Sequence, residues 1–311
     1  MRKFFKITAI SLFTLILLAF LLPFLFKGKI LSLAKDEINK NIEAKVEFKD
    51  IDLSLFRHFP KLSIALKDIS VTGLNEFEGD TLLSAPTVDA SVNLISVIRG
   101  TDIKLHGIYL ESPRIHALVN KEGKANWEIT KPDTTVSVAD SSSPFQMELE
   151  KYSISDAYVY YNDESINMHA EISGLDHEGN GNFKDEIFTL TTSTKAQSAN
   201  FTYANIPYLV NAETGINADV EINNKSSKYS FKDAAIIVNE LKLVTNGFIQ
   251  LDNDSTYTMD IAFDAPSNDF KNILSLVPVV YKTEFDQLKT SGTAGLKGFV
   301  KGVYSPQQLP A

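Results

Sequence analysis

Not one of the 311 residues is cysteine. That absence excludes a disulfide framework, cysteine-ligated metal and thiol catalysis together. Positive charge is also in short supply, with 30 Lys and Arg against 39 Asp and Glu, a net charge of −9 and a pI near 5.1. A nucleic-acid binder needs clustered cations for its phosphate contacts, so nucleic acid is not expected as a partner. Histidine is sparse, and none of His58, His106, His116, His169 and His177 has HExxH spacing. His106 and His116 could be neighbours across a hairpin, but histidines on polar strand faces account for all five better, and no metal is expected.

Catalytic signatures are missing too. There is no G-x-S-x-G elbow, P-loop or Rossmann fingerprint. Asp176, Glu178, Asn180 and Gly181 imitate the opening of a calcium-binding EF-hand loop. Position twelve of that loop requires a bidentate Glu and here is Ile187, so the segment reads as a hairpin turn. No pair of carboxylates stands out for acid–base work. The chain is expected to be no enzyme and to need no cofactor.

What is present begins with Ile7–Phe26, ITAISLFTLILLAFLLPFLF, a run without charge. As a helix rising about 1.5 Å per residue it spans roughly the 30 Å of a bilayer's hydrocarbon core. Ile7, Leu12, Leu15, Leu18, Leu22 and Phe26 mark its length as a membrane anchor. A cleaved signal peptide would have a shorter apolar run and a small-x-small site, and neither is seen. Arg2, Lys3 and Lys6 precede the span, which predicts a cytoplasmic N-terminus and the bulk of the chain on the far side.

Ile30 to Ala44 follows with Ile30, Ala34, Ile38 and Ile42 at four-residue spacing, the pattern of an amphipathic helix. From Lys45 the period becomes two. Leu62, Ile64 and Leu66 alternate with Lys61, Ser63 and Lys67, and Val88, Ala90, Val92 and Leu94 alternate with Asp89, Ser91 and Asn93. The same alternation continues at Ile216–Ile222 and Tyr257–Phe263. Such one-sided strands joined by short turns predict antiparallel sheet.

Residues 131–145, KPDTTVSVADSSSPF, carry no apolar period and read as a flexible linker. The predicted organisation is a cytoplasmic tip and anchor over 1–28, a helix and β region over 29–130, that linker, and a continuing β region over 146–311. Short helices are expected near 268–288. The last strand has no evident partner downstream, so the chain reads as the front part of a longer protein.

Three stretches then carry a family resemblance. One is the strand end D-I-S-V-T-G-L at Asp68–Leu74, and another is the LLSAP-T-V segment from Leu82. The third is the turn from Glu122-Gly123 to Asn126-Trp127. With the N-terminal anchor, these make the chain resemble the AsmA family of Gram-negative envelope proteins. The later ILSLVPVVY and LKTSGTAGLKGFVKGVYSPQQLP segments are similar to the middle of Bacteroidetes-type members.

The resemblance implies an inner-membrane anchored, periplasmic protein with an elongated, curved antiparallel sheet forming an apolar groove. It implies lipid binding there, and a part in phospholipid transport to, or homeostasis of, the outer membrane. Phospholipid and the inner membrane are then the expected partners. The groove candidates are Val88, Val92, Leu94, Ile103, Leu105, Ile216, Val220, Ile222, Met259 and Ile261. The competing expectation is a scaffold that assists outer-membrane protein assembly by protein contacts along strand edges.

Overall fold

The computed structural model describes residues 42–99, 103–130, 145–253, 256–274 and 291–305, together with Lys6 and Gly28. The predicted anchor at Ile7–Phe26, most of the Ile30–Ala44 helix and linker residues 131–144 lie outside the described residues. Among the described residues no helix is long and apolar enough to cross a membrane.

Among the described residues fourteen strands form one sheet. The first group is β1 (Lys45–Glu47), β2 (Asp50–His58), β3 (Lys61–Thr72), β4 (Thr81–Val92), β5 (Ile103–Glu111) and β6 (Arg114–Val119). The second is β7 (Phe145–Asp163), β8 (Met168–Asn180), β9 (Ile187–Tyr203), β10 (Ile206–Asn223), β11 (Lys228–Val238), β12 (Leu241–Asn253), β13 (Thr256–Asp269) and β14 (Thr293–Tyr304). From β7 onward the sheet is a plain meander in which each strand pairs with the next.

The expectation of a purely antiparallel sheet needs correction. β7 runs parallel to both β5 and β6, which lie end to end along its 19 residues. Ile108 pairs with Tyr152 in the first part and His116 with Tyr160 in the second. Parallel pairing needs a crossover of a dozen or more residues, and the chain between Val119 and Phe145 is long enough to provide it. His106 and His116 therefore do not face each other across a hairpin. Each is opposite a different stretch of β7.

Two helix boundaries also differ from expectation. Ile42 forms a β-bridge with Thr130, and Glu43 donates its N–H to the Ile129 carbonyl at 2.6 Å, so the approach to β1 is extended. Leu94 is not a strand residue but starts the short helix Leu94–Arg99. Asn93 ends the strand by capping that helix, its Oδ1 accepting from Ile95 N–H at 2.9 Å and Ser96 N–H at 3.1 Å. Near the C-terminus β13 runs to Asp269 and the helix Phe270–Leu274 follows.

The long strands are broken by β-bulges with a recurring construction. Asp156, Asn211 and Asp233 have φ of 49°, 49° and 51°, a region Asn and Asp enter more readily than other side-chain-bearing residues. In each case a neighbouring strand supplies an acceptor for the displaced N–H. Asp156 N–H donates to Asp176 Oδ1 at 3.0 Å, Asn211 N–H to Asn200 Oδ1 at 2.8 Å, and Asp233 N–H to Asn246 Oδ1 at 2.8 Å. A bulge adds one residue to one strand and bends it, so apolar residues on either side stay on the same face. Ile154 and Ala157 show this, pairing with His177 and Leu175 in turn.

No second sheet or helical layer packs across this sheet among the described residues. Every substantial contact between elements joins ladder neighbours, or a short helix to an adjoining strand. Deep burial of large apolar side chains is correspondingly rare among the described residues, at Ile51, Leu62 and Val92 near the start and at Leu241 on β12.

Candidate functional site

Directly paired residues in a sheet share a face, so the register traces that face across the molecule. At the N-terminal end Ile64 pairs with Ala90, Leu66 with Val88, and Val88 with Leu110. Ile108 and Leu110 then pair with Tyr152 and Ile154 on β7. Farther along, Ile222, Tyr229, Ile249 and Met259 form one row across β10 to β13. Val220, Phe231, Gly247, Ile261 and Val300 form the adjacent row. Ile216, Ile236 and Leu243 make a third. With strands about 4.8 Å apart, the four-strand row from Ile222 to Met259 runs about 14 Å across the ladder.

The structure thus brings Ile216, Val220, Ile222, Met259 and Ile261 onto one continuous apolar face. Ile216 is 40% exposed, and the other four are half-buried. Val88 and Leu105 lie on the N-terminal part of the face, also half-buried. Val92, paired with Leu105, is packed in the core at 2% exposure. Leu94 sits in the Leu94–Arg99 helix, and Ile103 begins β5, its side chain outside the described residues. Tyr229, Phe231, Ile249 and Leu243 belong to the same rows and were not singled out from sequence.

Alanine lines this face where the strands bend. Ala157, Ala196, Ala199, Ala212 and Ala234 are all buried, and the register places them beside the bulges of β7 to β11. An alanine on a single layer loses its solvent only if longer neighbours on the same face lean over it.

One interruption in the apolar face is polar. His177 on β8 is held between Thr194 Oγ1, 2.8 Å from Nδ1, and the Tyr152 hydroxyl, 3.0 Å from Nε2. His177 pairs with Ile154 on one side and Thr194 on the other, so it lies on the apolar face and not, as expected from sequence, on the polar one. Burial lowers its pKa and favours the neutral ring.

The opposite face is charged and internally paired. Lys297 meets Asp264 at 2.8 Å and Lys301 meets Asp260 at 2.6 Å along β14. Glu148 accepts from Lys104 and Lys184, both at 2.7 Å, and these hydrogen bonds bring its pKa down to about 2. A second polar knot ties β2 to β4. Asp89, only 5% exposed, accepts from Ser63 Oγ at 2.7 Å and Arg57 Nη1 at 3.0 Å, with His58 Nε2 at 3.2 Å. His58 stacks on Tyr109 with centroids 4.2 Å apart. Apart from Asp264 Oδ1, a buried atom with no hydrogen-bond partner, these groups are satisfied within the protein. Among the described residues no group of three or more His, Cys, Asp or Glu is placed to hold a metal ion. The would-be calcium loop is mostly strand, since Asp176–Asn180 finish β8 and β9 resumes at Ile187.

The motifs noted in the sequence have structural jobs. Gly73, at the end of β3, lies where a Cβ would come 2.5 Å from the Phe77 carbonyl. In the turn after β6, Asn126 is buried and bridges two levels of backbone. Its Oδ1 accepts from Leu118 N–H at 2.9 Å and its Nδ2 donates to the His116 carbonyl at 2.8 Å. Gly123 supplies the φ of 79° that closes the turn.

Comparison with known proteins agrees with this reading of the motifs. The AsmA family model matches residues 1–223, which takes in the three motifs, the parallel return of β7 and the meander through β10. No curated protein matches the chain. The family is associated with the bacterial envelope. The match covers well over half of the sequence, and the chain belongs to the AsmA family.

Proposed function

We propose that this protein is a non-enzymatic envelope component that binds the acyl chains of phospholipid on the apolar face of its sheet. In this reading Ile7–Phe26 holds it in the inner membrane, the bulk of the chain lies in the periplasm, and bound lipid moves along the face toward the outer membrane. The observation that carries the reading is a registered apolar face, from β3 to β14, with no opposing layer among the described residues. Exposed apolar surface on this scale marks a partner or lipid site. The buried alanines beside the bulges support a face that is concave there, because bending toward a face crowds its side chains.

Acyl chains match such a surface for a simple reason. Each CH₂ transferred from water to an apolar setting contributes roughly 0.8 kcal/mol, without directional demands. The rows of Ile222–Met259 and Val220–Val300 offer many equivalent contacts and no single indispensable residue. Lipid can then move along the face without crossing a large barrier at any one position.

A photo-crosslinking residue at Ile222 or Met259, in the full chain in its membrane, tests the idea. Phospholipid adducts are the expected product. Val220→Asp is expected to reduce them severalfold, and Asp219→Asn, whose side chain faces the other way, to leave them unchanged. Adducts with outer-membrane proteins in place of lipid would turn the reading toward the assembly scaffold. No lipid adduct at either position overturns lipid binding.

A further inference from the structure

A lone polar group on an apolar surface has a cost, and His177 sits on the one face where sequence alternation would place a hydrophobe. Its surroundings are uncharged and mostly small. Leu175 and Ala196 flank it along the strands, and Ile216 and Ala218 lie on β10 beyond Thr194 and Thr192. None of these carries charge. Tyr152, His177 and Thr194 are each half-buried, so the group is reachable from the side that faces solvent.

The hydrogen-bond inventory of this group does not close. A neutral imidazole has one N–H donor and one acceptor nitrogen. Two hydroxyls flank it, one at each nitrogen. If Tyr152 O–H donates to Nε2, then Nδ1–H donates to Thr194, and the Thr194 hydroxyl proton is left over. In the other tautomer Thr194 donates to Nδ1, Nε2–H donates to Tyr152, and the Tyr152 hydroxyl proton is left over. Either way one O–H is free to donate outward, and the ring can pass that surplus from one hydroxyl to the other. What the trio calls for is an uncharged acceptor attached to apolar groups. A phosphate would want a cation beside it, and the flanking positions of this face supply none.

We infer that Tyr152, His177 and Thr194 form a hydrogen-bonding station for the ester carbonyl of a diacyl lipid lying on the apolar face. This rests on the lipid reading above and adds a chemical preference to it. The acyl chains lie over the apolar rows on either side, while the carbonyl, which must give up water to enter the face, accepts the surplus O–H. The station favours one depth and register of the glycerol backbone over its neighbours, and sets a pausing point in an otherwise featureless path.

The test compares dipalmitoyl phosphatidylethanolamine with its dihexadecyl ether analogue, which has the same headgroup and chain length but no ester carbonyl. Purified full-length protein in detergent is loaded from equal mixtures of the two, and the retained lipid is measured by mass spectrometry. Wild type is expected to retain the ester about 3-fold to 10-fold over the ether, the range of one net hydrogen bond. The triple variant Tyr152→Phe/His177→Leu/Thr194→Val, which removes every donor of the trio, is expected to retain both equally. As a measurement that needs no variant, the infrared stretch of a ¹³C-labelled ester carbonyl is expected at its hydrogen-bonded frequency when bound to wild type. Equal retention of ester and ether by wild type, or a carbonyl stretch at its free frequency, overturns the station and leaves lipid binding standing. Retention of neither lipid overturns both.

Discussion

Tyr152 occupies the space over Gly179, where a Cβ would come within 2.4 Å of Tyr152 Cζ. The two residues are paired neighbours on β7 and β8, and the missing side chain lets the phenol reach His177. Gly179→Ala is expected to push the ring off the histidine. Overpacking of this kind costs about 1–3 kcal/mol. Chemical denaturation should show that loss, and the Tyr152–His177 hydrogen bond should disappear from the NMR spectrum of the imidazole.

Gly247 is tighter still, and its neighbour is backbone. Its φ is 144°, and a Cβ there would meet the Asp260 carbonyl oxygen at 2.0 Å. No rotamer change relieves such a clash, so the β12–β13 ladder itself must shift. Gly247→Ala is expected to destabilise the protein by at least about 2 kcal/mol. Gly215→Ala is the matched control, since a Cβ there meets nothing nearer than 3.7 Å. A shift in the denaturation midpoint for the first and little for the second is the expected result.

Asp89 and Asp52 share Arg57 but differ in setting. Asp89 is 5% exposed and takes the Ser63 hydroxyl as well, while Asp52 is 48% exposed. Asp89→Asn leaves buried donors facing a weaker acceptor and is expected to cost about 2 kcal/mol. Asp52→Asn removes an exposed pair and is expected to cost about 0.5 kcal/mol or less. Equal effects on thermal unfolding would contradict the assignment of Asp89 as the anchor of the knot.

Glu148 provides a dependence on pH. Its folded pKa of about 2 lies below the ordinary 4.5, owing to Lys104 and Lys184. The folded state therefore binds fewer protons than the unfolded state between those values. The stability this confers is complete above about 4.5 and disappears as pH falls toward about 2. Wild type and Glu148→Gln should differ in melting temperature at pH 6 and converge as the pH drops through that window.

How much of this was legible in the sequence depended on the bulges. Ile216–Ile222 and Tyr257–Phe263 alternate without interruption, and the register keeps the apolar residues of each on one face. The first half of β10, from Ile206, escaped because Asn211 at φ 49° breaks the alternation there. His177 looked like a polar-face residue because its phase can be read only through the bulges of β7 and β8. The parallel return of β7 had no local signal at all. Strand direction is set by where the chain re-enters the sheet, and the residues of β5, β6 and β7 alternate in the same way in either direction. The Asn126 turn and Gly73 are visible as motifs, while their reason, a buried amide and a backbone contact, arises only in the folded chain.

The parallel seam at β7 also has a kinetic side. In the meander from β7 to β13 every new strand finds its partner one hairpin back, so pairing can proceed as the chain emerges. β5 and β6 cannot finish their ladders that way, because their outer partner is synthesised only after the crossover, up to Asp163. Until then the first sheet segment presents an unfilled edge to any other strand nearby. A chain made from its N-terminus would expose that edge before its own completing strand arrives, which makes the crossover the interval in which a chaperone has most to protect.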